Sequence, residues 1–140
     1  MKIDDKLLKD SLIESKIPAN DFALISKENK TKILSKYVDN TQLNSGRFLR
    51  YFECLKDLGK VYYGIEAIKI ILDLLLEGDF FIFTEGGNDI YKISGWDNIK
   101  LIIHQLPSSL DVYITDVELE AMFCLTSEDN VIVSGKNPIK

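Results

Sequence analysis

Apolar residues recur with a helical period in the first half of the chain and with a strand period in the second. In residues 4–15, DDKLLKDSLIES, Leu7, Leu8, Leu12 and Ile13 fall on one face of a helix that Pro18 stops. Asn20 or Asp21 is placed to cap the next element. Residues 28–38, ENKTKILSKYV, predict a second helix with Ile33, Leu34, Tyr37 and Val38 inward. DNTQLNSG reads as a loop. A third helix is expected from Ser45 to about Leu55, with Phe48, Leu49, Phe52 and Leu55 inward and Gly59 closing it. Residues 65–77 carry the clearest pattern. Gly64 and Gly78 bracket them, and Glu66, Lys69, Asp73 and Glu77 make one thin polar stripe on an otherwise apolar helix. That helix is expected at the centre of the core.

Strand patterns come next. DFFIFTE and NDIYKI flank Gly86-Gly87, the pair expected in a two-residue hairpin turn with positive φ. SGWDNIKLIIHQLP predicts a helix with Ser94 and Asp97 as a capping pair, Trp96, Ile99, Ile102, Ile103 and Leu106 inward, and Pro107 as its stop. Three more strands are predicted at 111–115, 118–126 and 131–134. N-terminal helices succeeded by antiparallel strands with one inserted helix give an α+β fold. At 140 residues, one domain spanning 1–140 is the expectation.

Charge changes this picture by its placement. Residues 1–60 carry 12 Lys/Arg and 9 Asp/Glu, whereas residues 61–140 carry 5 and 13, for a net charge of −5 overall. An acidic chain lacks the basic footprint of a nucleic-acid or anionic-membrane binder. Neither an apolar leader nor a run long enough to span a bilayer is present, so a cytoplasmic protein is expected. Cys54 and Cys124 stand far apart in apolar contexts, as small core residues do.

Candidate chemistry is sparse. Gly86-Gly87 lacks the Lys-Ser/Thr and helix of a phosphate loop. His104 is the only histidine, on the polar side of its helix. It leaves no zinc set and no basis for a Ser-His-Asp or Cys-His arrangement. No cofactor is expected.

The carboxylates remain. DVYITDVELEAMFCLTSEDN, residues 111–130, holds Asp111, Asp116, Glu118, Glu120, Glu128 and Asp129 and no base. Read as a hairpin, it gathers Asp116, Glu118 and Glu120 at one end and Asp111, Glu128 and Asp129 at the other. The ends are about 15–20 Å apart, one strand length. A glycosidase pair needs carboxyls roughly 5–9 Å apart. Three readings stand: solvated hairpin ends, a carboxylate or metal site within the first cluster, and a negative surface that docks a basic partner. In the third, alternation turns Glu118 and Glu120 away from the core, and Tyr113 and Met122 add contact area beside them.

The order of motifs resembles the small bacterial SUKH-type immunity superfamily. A helical start leads to an aromatic-rich helix, FFIFTE, a YKI…WDNIKLII helix and a DVYIT–LEAMFCLT–NVIVSG meander, over about residues 20–135. Where many of those proteins carry a Trp in the penultimate strand, this chain has Met122-Phe123. The resemblance implies no catalysis: it implies a protein that occludes a toxin, commonly a basic nuclease. The expected partner is therefore a cationic toxin domain, with no nucleic acid and no membrane. A homo-oligomer, a regulatory or scaffold adaptor, and a carboxylate- or metal-dependent enzyme stay open as alternatives.

Overall fold

The computed structural model describes residues 2–43, 49–57, 60–64, 69 and 78–135. Among these residues, seven antiparallel strands form one sheet in the order β1-β4-β3-β5-β6-β7-β2. They are β1 (Phe22–Ile25), β2 (Val61–Tyr63), β3 (Asp79–Thr84), β4 (Ile90–Ser94), β5 (Val112–Asp116), β6 (Ala121–Leu125) and β7 (Asn130–Gly135). The described helices are α1 (Ile3–Glu14), α2 (Glu28–Tyr37), α3 (Asn40–Leu43) and α4 (Trp96–Gln105). The class is α+β. The five predicted strands are present within a residue or three of their expected ends. The two edges, β1 and β2, carry no alternation strong enough to show in the sequence.

Helices cover the sheet on both faces. On the first, Leu8 and Leu12 of α1 and Ile99, Ile102 and Ile103 of α4 pack on Phe80, Ile82, Tyr91, Ile93, Val112, Ile114, Ala121, Phe123, Val131 and Val133. On the second, Ile33 and Tyr37 of α2, with Val38, Phe52 and Cys54, pack on Phe83, Ile90, Tyr113, Met122, Cys124 and Ile132. Successive residues of a strand point to opposite faces, so a doubly covered strand is apolar throughout. AMFCL and NVIVS are such runs. Burying a Leu, Ile or Phe side chain contributes roughly 1.5–3 kcal/mol, and the two layers together hold the sheet.

Several local expectations change. The helix predicted over 65–77 lies outside the described residues, apart from Lys69. Of the helix predicted over 45–55, residues 45–48 lie outside them as well. The remainder is not α-helical: Tyr51–Glu53 form one 3-10 turn, and Leu55 bridges to Val38. The aromatic spacing there serves the second core layer, where Phe52 is buried, so tertiary packing overrides the helical reading. Within the expected loop DNTQLNSG, Asn40–Leu43 make one helical turn, with Asp39 Oδ1 accepting from Thr41 N at 2.9 Å. Ser94 is not the cap of α4. Gly95 is, at φ +88°, and Asn98 Nδ2 donates to the Ser94 carbonyl instead.

Gly86-Gly87 do not form a two-residue turn. Phe83 pairs with Ile90, which leaves a six-residue loop, and the positive-φ glycines lie elsewhere. The loop is held by side chains. Gly86 N donates to Asp4 Oδ2 at 3.0 Å, Asn88 N and Asp89 N donate to Asp5, and Lys30 Nζ donates to the Thr84 and Gly87 carbonyls. A Cβ at position 86 would stand 2.6 Å from Asp4 Oδ2, and one at 87 would overlap Asp5 Oδ1 and Thr84 Oγ1. Glycine is required by close approach, not by φ.

Candidate functional site

The antiparallel topology sends the start of β3, the end of β4, the end of β5 and the turn before β6 to one end of the sheet. Carboxylates gather there from four segments. Asp116, Glu118 and Glu120 come from the β5–β6 turn, Asp79 from β3, Asp97 from the first turn of α4, and Asp21 from the segment before β1. Asp79, Asp116, Glu118 and Glu120 line a cavity of about 170 Å³. Asp21, Asp79, Trp96 and Asp97 line a neighbouring open depression that shares Gly78 and Asp79 with it. The result is a continuous acidic hollow across three strand ends.

The hollow is built by hydrogen bonds to its own backbone. Asp116 Oδ1 accepts from Glu120 N at 2.9 Å and from Ala121 N at 3.1 Å, which closes the turn. Leu119 adopts φ +56° and tucks its side chain into the second core layer, while Lys36 Nζ donates to its carbonyl. Glu118 and Glu120 flank that buried leucine and are exposed. Their outward orientation is as expected, but its cause is the turn: β6 begins only at Ala121. Asp79 Oδ1 accepts from Gly95 N at 3.2 Å, and Asp21 Oδ2 accepts from Asn98 Nδ2 at 3.0 Å. Lys100 lies 3.3 Å from Asp97 and sits over the Trp96 ring. Burial first, and then the fields of Asp116 and Glu120, push the Tyr37 phenol up from its ordinary range. The negative potential thus reaches into the second core layer.

The other end of the hairpin is different in kind. Asp111, Glu128 and Asp129 are separated from the first cluster by the length of β5 and β6, as the hairpin reading expects. Arg50 supplies Asp111 and Glu128 a base that the local sequence lacks. Its guanidinium lies 2.7 Å from Glu128, 3.8 Å from Asp111 and 3.2 Å from Glu53. Asp111 Oδ1 also accepts from Ser127 N at 2.7 Å. This end is a brace between the 49–57 segment and the β6–β7 turn, in which one guanidinium meets Glu53, Asp111 and Glu128.

Tyr113 and Met122 do not contribute surface. Both are fully buried, on the face of the sheet that α2 covers. The surface assignment requires the face opposite Val112 and Ile114 to be wet, as in a two-layer protein, and the second helical layer removes that condition. Tyr113 Oη instead donates to Glu85 Oε1 at 2.6 Å, accepts from Phe52 N at 3.3 Å, and stacks on Phe83. The members of the acidic hollow that sequence reasoning misses are Asp21, Asp79 and Asp97. Each stands alone in sequence at the end of an element, so only strand order could have joined them to Asp116.

Among the described residues no group of three or more His, Cys, Asp or Glu side chains is placed to hold a metal ion. Cys54 and Cys124 are both buried and form no disulfide, and burial pushes the Cys124 thiol well up, which keeps it protonated. His104 is exposed. Among the described residues no helix is long and apolar enough to cross a membrane. Comparison with family models, curated proteins and solved structures finds no match to this chain.

Proposed function

We propose that this is a non-catalytic binding protein of the immunity type, which neutralises a cationic bacterial toxin domain by seating it on the acidic hollow. The observation that carries the reading is the convergence of Asp21, Asp79, Asp97, Asp116, Glu118 and Glu120 from separate elements on one concave end of the sheet. A partner rich in Lys and Arg, as a nuclease domain is, would be steered there. Complementary charge raises association well above the neutral rate of roughly 10⁵–10⁶ M⁻¹s⁻¹. The motif order that resembles the SUKH-type superfamily supports the same class, although its aromatic-rich helix is not α-helical over residues 49–55.

The alternative of a carboxylate- or metal-dependent enzyme would draw a carboxylate pair from Asp116, Glu118 and Glu120 in the same cavity. Calorimetric titration with magnesium, manganese and calcium separates the two. Micromolar binding that Glu120→Gln abolishes would favour the enzyme. The decisive positive test is kinetic: a basic nuclease-like domain encoded beside this chain should associate with it in a salt-dependent way. Reversing Glu118 and Glu120 to Lys should slow that association. Unchanged affinity and unchanged salt dependence would reduce the hollow to solvated turns.

A further inference from the structure

A second cavity, at the opposite end of the sheet, is separate from the acidic hollow. It has a volume of about 300 Å³ and opens between the C-terminus of α4, the 106–110 loop and the starts of β5 and β7. Its walls are apolar: Ile103, Leu106, Leu110, Val112, Leu125 and Val131 among them. Four of these, Ile103, Leu110, Val112 and Val131, belong to the buried core of the first face, so the half-open cavity reaches down to the core.

Apart from Ser108 at the rim, its polar side chains lie on one side. Thr126, Asp129 and Asn130 come from the β6–β7 turn, and that turn is fixed. Thr126 N donates to the Asn130 carbonyl at 3.0 Å, the Thr126 and Asn130 side chains bond to each other, and Gly64 N donates to the Asp129 carbonyl at 2.9 Å. Asp129 is held at φ +59°, in the left-handed region. Its carboxylate is exposed, whereas Arg50 engages the neighbouring Glu128 and Asp111. A preformed apolar pocket with a few polar groups converging on one side is the usual form of a small-molecule site.

We infer that this cavity binds a small amphipathic molecule with an apolar body and a cationic amine head, the body among Leu106, Leu110 and Leu125 and the amine at Asp129. Size sets the class. A dry cavity of about 150 Å³ accepts benzene, so one of twice that volume takes an aromatic ring with a two-carbon arm. Charge sets the head group, because the exposed acid Asp129 in the lining favours an ammonium and repels an acid.

Three probes of matched shape test this: 2-phenylethylamine, 2-phenylethanol and phenylacetate, titrated into the full chain and followed by amide chemical shifts. The expected result is saturable binding in the high-micromolar to millimolar range, in keeping with the affinity that about nine non-hydrogen atoms provide. The amine should bind several-fold more tightly than phenylacetate. Asp129→Asn should erase that preference and leave the alcohol unaffected. Ser108 is exposed at the rim, so Ser108→Trp should block all three probes without unfolding the chain, and Leu106→Trp should fill the cavity from within. Absence of saturable shifts with every probe would overturn the site, as would binding that survives Ser108→Trp. Equal affinity for amine and acid would overturn the ligand class. None of these outcomes depends on Glu118 or Glu120, so the proposed toxin-binding role stands or falls separately.

Discussion

The ammonium of Lys30 lies 2.7 Å from the carbonyl oxygen of Gly87, inside the protein and more than fifty residues away in sequence. It also donates to the Thr84 carbonyl at 3.1 Å and lies 5.3 Å from the centres of the Tyr51 and Phe83 rings. Burial pushes its pKa down, and the nearby Glu85 and Asp5 carboxylates oppose that. A cation this deep needs acceptors, and both carbonyls supply them beside the two carboxylates. Replacing Lys30 with Met removes both bonds and strands two buried oxygens. The expected loss is about 2–3 kcal/mol in urea unfolding, and a midpoint equal to wild type would show that water replaces the ammonium there.

Asp5 performs the complementary task from α1. It is 4% exposed, and its carboxylate accepts from Asn88 N and Asp89 N near 3.0 Å. Asp5→Ala leaves two amides without acceptors and should cost about 1–3 kcal/mol. Gly87→Ala should cost a similar amount by the opposite route, since its methyl would overlap the same carboxylate. The double variant should be less damaging than the sum, because removing the carboxylate makes room for the methyl. Additive losses would show that the clash is with Thr84 alone.

Glu85 gives a pH signature. Burial raises its carboxyl pKa above the ordinary range, partly offset by hydrogen bonds from Tyr113 and from Tyr51 N. A group whose folded pKa is raised binds its proton more tightly when folded. Its contribution is therefore complete below the unfolded value, roughly 4.3, and is lost as pH rises through the higher folded value. Glu85→Gln keeps an acceptor for both donors and cannot ionise. Wild type should lose stability relative to Glu85→Gln as pH rises from about 4 towards neutrality. A difference that is flat over that range would contradict the raised pKa.

The strands of the second half are legible in the sequence because their apolar runs are bounded by turn residues that also end them in the fold. Helices α2 and α4 are legible because each has a single apolar stripe; α1 is legible through Leu8 and Leu12, but its buried face also takes Asp5 and Ser11, and Ile13, expected inward, is exposed. The two edge strands are hidden: FALI and VYY are three or four residues long, too short to establish a period. The burial of Tyr113 and Met122 is present in the sequence but emerges only against the right geometry. VYITD and AMFCL show little alternation of polarity, and that continuity signals a sheet covered on both faces. The acidic hollow is half legible. Asp116, Glu118 and Glu120 share one turn and announce themselves, whereas Asp21, Asp79 and Asp97 join them only through the order β1-β4-β3-β5-β6. Arg50 is invisible for the same reason, since nothing local links it to Asp111 or Glu128.

That difference between the two acidic ends yields a comparative prediction. Arg50 already compensates Asp111 and Glu128, and its own pKa is raised first by the hydrogen bond to Glu128. The brace is partly exposed, so Arg50→Ala should change stability by less than about 1 kcal/mol. It should, however, unmask negative charge and speed association with a cationic partner modestly. Reversal of Glu118 and Glu120 acts in the other direction and at the hollow itself. It should slow association on the order of tenfold at low ionic strength and flatten the salt dependence, with little effect near 1 M salt, where screening acts within about 3 Å. Stopped-flow association at several salt concentrations measures both variants against wild type. If Arg50→Ala proved the larger effect, the docking surface would lie at the Asp111–Glu128 end, and the hollow at Asp79 and Asp116 would lose its claim.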